Sequence, residues 1–169
     1  MKLNLGCGTD IRPGYVNIDA NTFLPGVDHV VDLTAPMALA DLFPPASVDA
    51  VLAQDVLEHL HRWEALRLLG RLRALLKPGG TLEVRVPDAA GIIASADPVE
   101  RKLTMLFGGQ DVPQGTGMDQ HRVKHPEFFC HHYAWSGDRL ASALRDHGFV
   151  NIQIHRAGSN LVANAQSPT

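Results

Sequence analysis

At 169 residues the chain can bury one sizeable core and is too short for two ordinary domains. Its 45% hydrophobic and 20% charged residues exclude disorder as the default. A net charge of −3, with nine histidines taken as neutral, leaves no general positive field for phosphate backbones, so no nucleic-acid partner is expected. The cysteines Cys7 and Cys130 make no disulfide framework, and no apolar run reaches membrane length or forms a secretory leader. The expectation is a cytoplasmic protein with free thiols and no membrane partner.

The first strand is Leu3 to Leu5, ended by Gly6-Cys7-Gly8; Tyr15 to Asp19 and His29 to Leu33 read as the second and third. Pro36 to Leu42 is expected to form a short helix, stopped by Pro44-Pro45. Val48 to Ala53 is almost continuously apolar, as befits a central strand covered on both faces. From His61 to Leu76, Trp63, Leu66, Leu69, Leu72, Leu75 and Leu76 recur at helical spacing, with Gly70 marking a close contact between helix and sheet. Lys77-Pro78-Gly79-Gly80 is expected to reverse the chain into a fifth strand, Thr81 to Val86. A further helix is expected over Val99 to Phe107, and another over Asp138 to His147, with Ser136 as N-cap and Gly148 at its stop. Phe149 to His155 and Leu161 to Ala165 then read as a hairpin, followed by a tail over Gln166 to Thr169. The alternation of strands and helices predicts a mostly parallel α/β sheet. One domain is expected, interrupted by a lid-like insertion at about 89–135.

In order along the chain, LNLGCG, VNIDA, VVDL and VDAVLAQDVLEHL with LLKPGG behind it resemble the class I S-adenosylmethionine-dependent methyltransferases, within them the methyltransferase type 11 group. The resemblance implies a Rossmann-like sheet with helices on both faces and S-adenosylmethionine as cofactor. It also implies transfer of a methyl group to a small-molecule acceptor. Gly6, Cys7 and Gly8 would form the loop against the methionyl part, since glycines let a backbone approach a ligand closely. Asp19, followed by Ala20, would accept from the ribose hydroxyls, and Asp32 from the adenine amino group, with the Leu33 N–H facing the ring. The Gln54 carbonyl would meet the cofactor's ammonium group. Glu58 and His59 would orient the loop and the next helix, with His59 also a substrate-side candidate.

Each motif has a plainer reading, since GxG can be an ordinary turn and strand-end aspartates often bond their own backbone. A non-catalytic cofactor-binding module stays open. So does a nicotinamide-dependent oxidoreductase, although Ile11 stands where that fingerprint wants its third glycine. The first crossover is also unusually short. Only residues 9–14 separate the first two strands, where a parallel connection normally takes a dozen residues and a helix. The first helix is therefore expected to be reduced to a turn, and Arg12 to pair with the cofactor carboxylate in its place. An antiparallel hairpin of the first two strands is the alternative.

The stretch HRVKHPEFFCHHY crowds His121, His125, His131, His132 and Cys130. Its spacing matches no common zinc arrangement, so no metal is expected. His121, His131 and His132 are candidates for a general base acting on the acceptor, with Phe128, Phe129, Tyr133 and Trp135 forming an apolar wall.

Overall fold

The computed structural model describes residues 1–109 and 126–169. Among these residues seven strands form one sheet: β1 (Lys2–Leu5), β2 (Val16–Asp19), β3 (His29–Val30), β4 (Val48–Gln54), β5 (Leu76–Pro87), β6 (Val150–Ala157) and β7 (Asn160–Gln166). Their order is β3-β2-β1-β4-β5-β7-β6. The first five run parallel, while β7 is antiparallel to both β5 and β6. Among the described residues the helices are α1 (Arg62–Leu75), α2 (Ala89–Ala94), α3 (Val99–Phe107) and α4 (Gly137–Asp146), with short 3-10 turns at Leu57–His59 and Pro126–Phe129. Among the described residues, no helix is long and apolar enough to cross a membrane.

The parallel register Leu3↔Val16, Asn4↔Asn17 and Leu5↔Ile18 rules out the hairpin alternative and confirms a crossover without a helix. Two buried asparagines make so short a connection tenable. Asn4 Nδ2 donates to Asn17 Oδ1 at 3.0 Å and to the Asp10 carbonyl at 2.8 Å, and Asn17 Oδ1 also accepts the Arg12 N–H at 2.9 Å. The Cys7 N–H donates to the Ile18 carbonyl at 3.1 Å. These bonds take up backbone groups that a helix would otherwise pair internally, and buried backbone groups must find some partner.

Val48, Val51, Leu52 and Ala53 of β4 are all buried, as expected for a strand covered on both faces. In α1 the buried positions are Ala65, Leu68, Leu69, Leu72 and Leu75, and Glu64 closes the first turn by accepting the His61 N–H at 3.0 Å. Trp63 leaves that stripe: it is 58% exposed and stacks on the His61 ring. Gly70 faces the His147 ring at the end of α4, not the sheet. Ser136 caps α4 as expected, accepting the Arg139 N–H.

Several boundaries differ from those the sequence predicts. Lys77 to Gly80 are counted within β5 but are looped out of its ladder: the register against β4 jumps from Val48↔Leu76 to Ala50↔Thr81, Gly79 turns with φ +74°, and Ser167 exchanges backbone bonds with Gly79 and Gly80. Gln166 accordingly ends β7, paired with both β5 and β6, and the buried Ser167 continues the pairing with β5, so neither belongs to a tail. Residues 36–42 form turns and not a helix, with Pro44-Pro45 preventing propagation. The third strand ends at Val30 because the Asp32 side chain captures the Thr34 N–H at 2.8 Å, which bends the chain away from the ladder.

Candidate functional site

Parallel strands bring their carboxyl ends to one side of the sheet, and there the ends of β1, β2 and β4 and the chain after β3 surround a cleft of about 540 Å³. That volume lies within the usual range for small-molecule sites, roughly 300–1,000 Å³. Gly6, Gly8, Asp19, Ala20, Asp32 and Leu33 all line it. Gly6 has φ +56°, and a Cβ there would sit 2.6 Å from Val56 Cγ2, so the loop keeps this path only with glycine.

Asp19 has a structural task as well as an exposed position on the cleft. Its Oδ2 accepts the Gly8 N–H at 2.8 Å and its Oδ1 accepts the Asn21 N–H at 2.9 Å. Each carboxylate oxygen can accept more than one bond, so a diol can still be held there. Asp32 uses Oδ1 for both the Thr34 N–H and hydroxyl, at 2.8 and 2.7 Å. Cys7 is 4% exposed beneath the loop, and burial, with the Asp19 charge adding, pushes its thiol up to about 11. It is therefore an inert packing residue and no nucleophile.

Arg12 and Gln54 stand behind the cleft. The Arg12 guanidinium is held by Asp10 Oδ2, at 2.8 and 2.7 Å, and by Gln54 Oε1 at 2.9 Å, while Gln54 in turn donates to Glu83. Sequence reasoning passed over Asp55. It lines the cleft with a left-handed φ of +55°, and its carboxylate is clamped by the Arg85 guanidinium. The available signal was an aspartate directly after a buried parallel strand, a position from which loops present ligand-binding groups. Asp19 and Asp32 put carboxylates on the cleft wall that suit a cationic ligand, while Arg85 balances the charge of Asp55.

The predicted histidines separate. His59 lines the cleft, its Nδ1 donating to the Cys130 carbonyl at 3.0 Å, and His131 packs edge-on against it with ring centroids 4.8 Å apart. His132 instead lies on His61, outside the cleft lining. His121 and His125 fall outside the described residues. Phe128 and Phe129 line the cleft, whereas Trp135 is buried in the core with Tyr133 packed edge-on against it.

Glu58 is 2% exposed, and its carbonyl accepts the N–H groups of His132 and Tyr133 at 2.7 and 3.2 Å, tying that segment to the turn after β4. Burial pushes its carboxyl up to about 8, with Asp55 adding, while burial and the His131 charge push His59 down to about 4. Folding thus takes up a proton at Glu58 between its ordinary 4.5 and about 8, which lowers stability as pH rises. At His59 folding releases a proton between about 4 and 6.5, which raises stability over that range. The two effects offset each other below pH 6.5, and above it only Glu58 titrates. In chelator-containing buffer, stability from urea unfolding is expected to fall by up to about 2 kcal/mol between roughly pH 6.5 and 8. Glu58→Gln should flatten that slope.

Residues 3–154 match the sequence profile of a methyltransferase domain family. No curated protein sequence matches the chain. Solved structures share its fold at low identity. The CurJ carbon methyltransferase is 16% identical with a TM-score of 0.62, over 99% of this chain and 48% of that one. An S-adenosylmethionine-dependent methyltransferase from Archaeoglobus fulgidus is 13% identical with a TM-score of 0.63, over 98% of this chain and 85% of that one. The 1,6-didemethyltoxoflavin-N1-methyltransferase of Burkholderia thailandensis, solved with its substrate and S-adenosylhomocysteine, is 18% identical with a TM-score of 0.60, over 99% of this chain and 71% of that one. The chain thus spans about half the length of the first of these. It belongs to the methyltransferase domain family, with the fold of the class I S-adenosylmethionine-dependent methyltransferases.

Proposed function

We propose that the chain transfers the methyl group of S-adenosylmethionine to a small-molecule acceptor in the cytoplasm. The observation that carries this reading is the convergence on one cleft of the GxG loop, Asp19 at the end of β2 and Asp32 in the turn after β3. The cofactor supplies an activated methyl group on a cationic sulfonium. Gly6 and Gly8 leave room for the methionyl part, Asp19 and Ala20 receive the ribose, and Asp32 with the Leu33 N–H receives the adenine. Asp19 and Asp32 favour its positive charge, with Arg12 and Gln54 bracing the loop from behind.

In the transfer itself an acceptor lone pair attacks the methyl carbon in line with the departing thioether. The protein's contribution is to align the two and exclude water. Of the lid-like insertion at about 89–135, Phe128 and Phe129 stand on the cleft wall and close its acceptor side. His59 stands at the same wall, where a neutral imidazole can accept a hydrogen bond from the acceptor.

Calorimetric titration with S-adenosylmethionine and S-adenosylhomocysteine tests the reading, followed by transfer of a radiolabelled methyl group to a panel of small hydroxyl and amine acceptors. Binding of both nucleosides with turnover is expected. Binding without turnover on any acceptor would favour the non-catalytic module, and binding of a nicotinamide dinucleotide in their place would favour an oxidoreductase.

A further inference from the structure

We propose that Glu58, His59 and His131 form a binding site for one divalent transition-metal ion, of the zinc, iron(II) or manganese class. The turn Leu57–His59 presents Glu58 and His59 together, and the segment after Pro126–Phe129 brings His131 against them. One ligand atom from each residue lies within 4.8 Å of the others. Bonds of about 2.0–2.1 Å to a tetrahedral ion place ligand atoms roughly 3.4 Å apart, so side-chain rotation closes the remaining gap. Two imidazoles and one carboxylate are a donor set that such ions favour, and their single negative charge partly balances a dication.

Three further observations point to a ligand. Glu58 is 2% exposed, and its Oε2 has no hydrogen-bond partner among the described residues. A buried carboxyl oxygen without a partner is costly, and a cation that displaces the carboxyl proton would supply that partner. The His59 Nδ1–H donates to the Cys130 carbonyl, which fixes the tautomer and leaves the Nε2 lone pair for coordination. Metal-binding histidines are commonly oriented by such a bond from the other nitrogen.

The site is also built before any ion arrives. The Glu58 carbonyl holds the His132 and Tyr133 N–H groups, and the His131 N–H donates to the Phe107 carbonyl at 3.2 Å. At the end of α3, Gly108 has φ +89°, and a Cβ there would collide with the Phe129 carbonyl at 1.9 Å. Glycine at this point lets the His131 segment pass close enough to join the cluster.

His59 lines the cleft, so the ion would stand at its wall, and three protein ligands leave at least one position for an acceptor oxygen. A bound ion would occupy the His59 lone pair and polarise that oxygen itself. The site does not depend on the methyl-transfer reading, and metal binding is measured here without the cofactor.

The full chain, stripped with chelator, is titrated with Co²⁺ while its visible absorption is followed, and then with Zn²⁺ in competition. One equivalent of either ion per chain is expected. His59→Ala and His131→Ala should each weaken binding by at least about 10-fold, as loss of even an outer partner of a metal ligand does. Glu58→Gln should do the same, with its thermal melt confirming the fold. His132→Ala, which removes the neighbouring ring stacked on His61, should leave affinity unchanged. Absence of Co²⁺ absorption at millimolar metal, unchanged binding in His59→Ala, or an equal loss in His132→Ala would overturn the proposal.

Discussion

Asp19→Ala is expected to weaken S-adenosylhomocysteine binding by about 100-fold or more, measured by calorimetry. A hydrogen bond to a charged acceptor contributes roughly 1.5–3 kcal/mol, and two ribose hydroxyls would each make one. The substitution also frees the Gly8 N–H, held by Asp19 Oδ2 at 2.8 Å, and the Asn21 N–H, held by Oδ1 at 2.9 Å. The loop would then lose the tether that presents Gly6 and Gly8 to the cleft. Asp19→Asn distinguishes the two contributions, since one amide oxygen remains to accept while the NH₂ group faces a donor. It should fall between wild type and alanine, at about 10-fold weaker. Thermal melts of both variants separate lost folding from lost contacts. Equal affinity of wild type and Asp19→Ala would remove Asp19 from the cofactor site.

The parts of the fold visible in the sequence were those with a local signature. The continuous apolar run from Val48, the leucine spacing of α1 and the Ser136 cap all depend on neighbours within a few residues, and each reappears in the structure. The missing crossover helix was visible as a shortage of residues. What replaces it was not, because Asn4 and Asn17 are 13 positions apart and meet only once the parallel register is set. Arg12 shows the opposite limit. The sequence leads to a pairing of Arg12 with the cofactor carboxylate and does not show that its guanidinium also bonds Asp10, two residues away, and Gln54. The histidine-rich stretch was read by spacing along the chain, and that spacing holds no metal arrangement. His131 instead meets a glutamate and a histidine from the turn after β4, the His59 to Cys130 bond spanning 71 positions. Side-chain clusters assembled across a sheet leave no periodic trace.

Gly6→Ala is expected to destabilise the chain by about 2–5 kcal/mol and to weaken cofactor binding with it. Two costs combine at this position. The backbone has φ +56°, where an L side chain costs roughly 1–2 kcal/mol, and the new methyl would stand 2.6 Å from Val56 Cγ2. Val56 is 5% exposed, so its side chain has little space into which to withdraw, and overpacking a core site typically costs about 1–3 kcal/mol. The two costs can be separated by adding Val56→Ala. In the double variant the collision is gone while the left-handed backbone remains, so urea unfolding should show coupling of roughly 1–2 kcal/mol between the sites. Simple additivity would mean that the loop relaxes around the methyl, and that the glycine is needed only for its conformation. Coupling would establish that Gly6 is held against the chain leaving β4. The first strand's loop and the wall of the cleft would then be one packed unit, and the depth of the cleft would depend on a residue with no side chain.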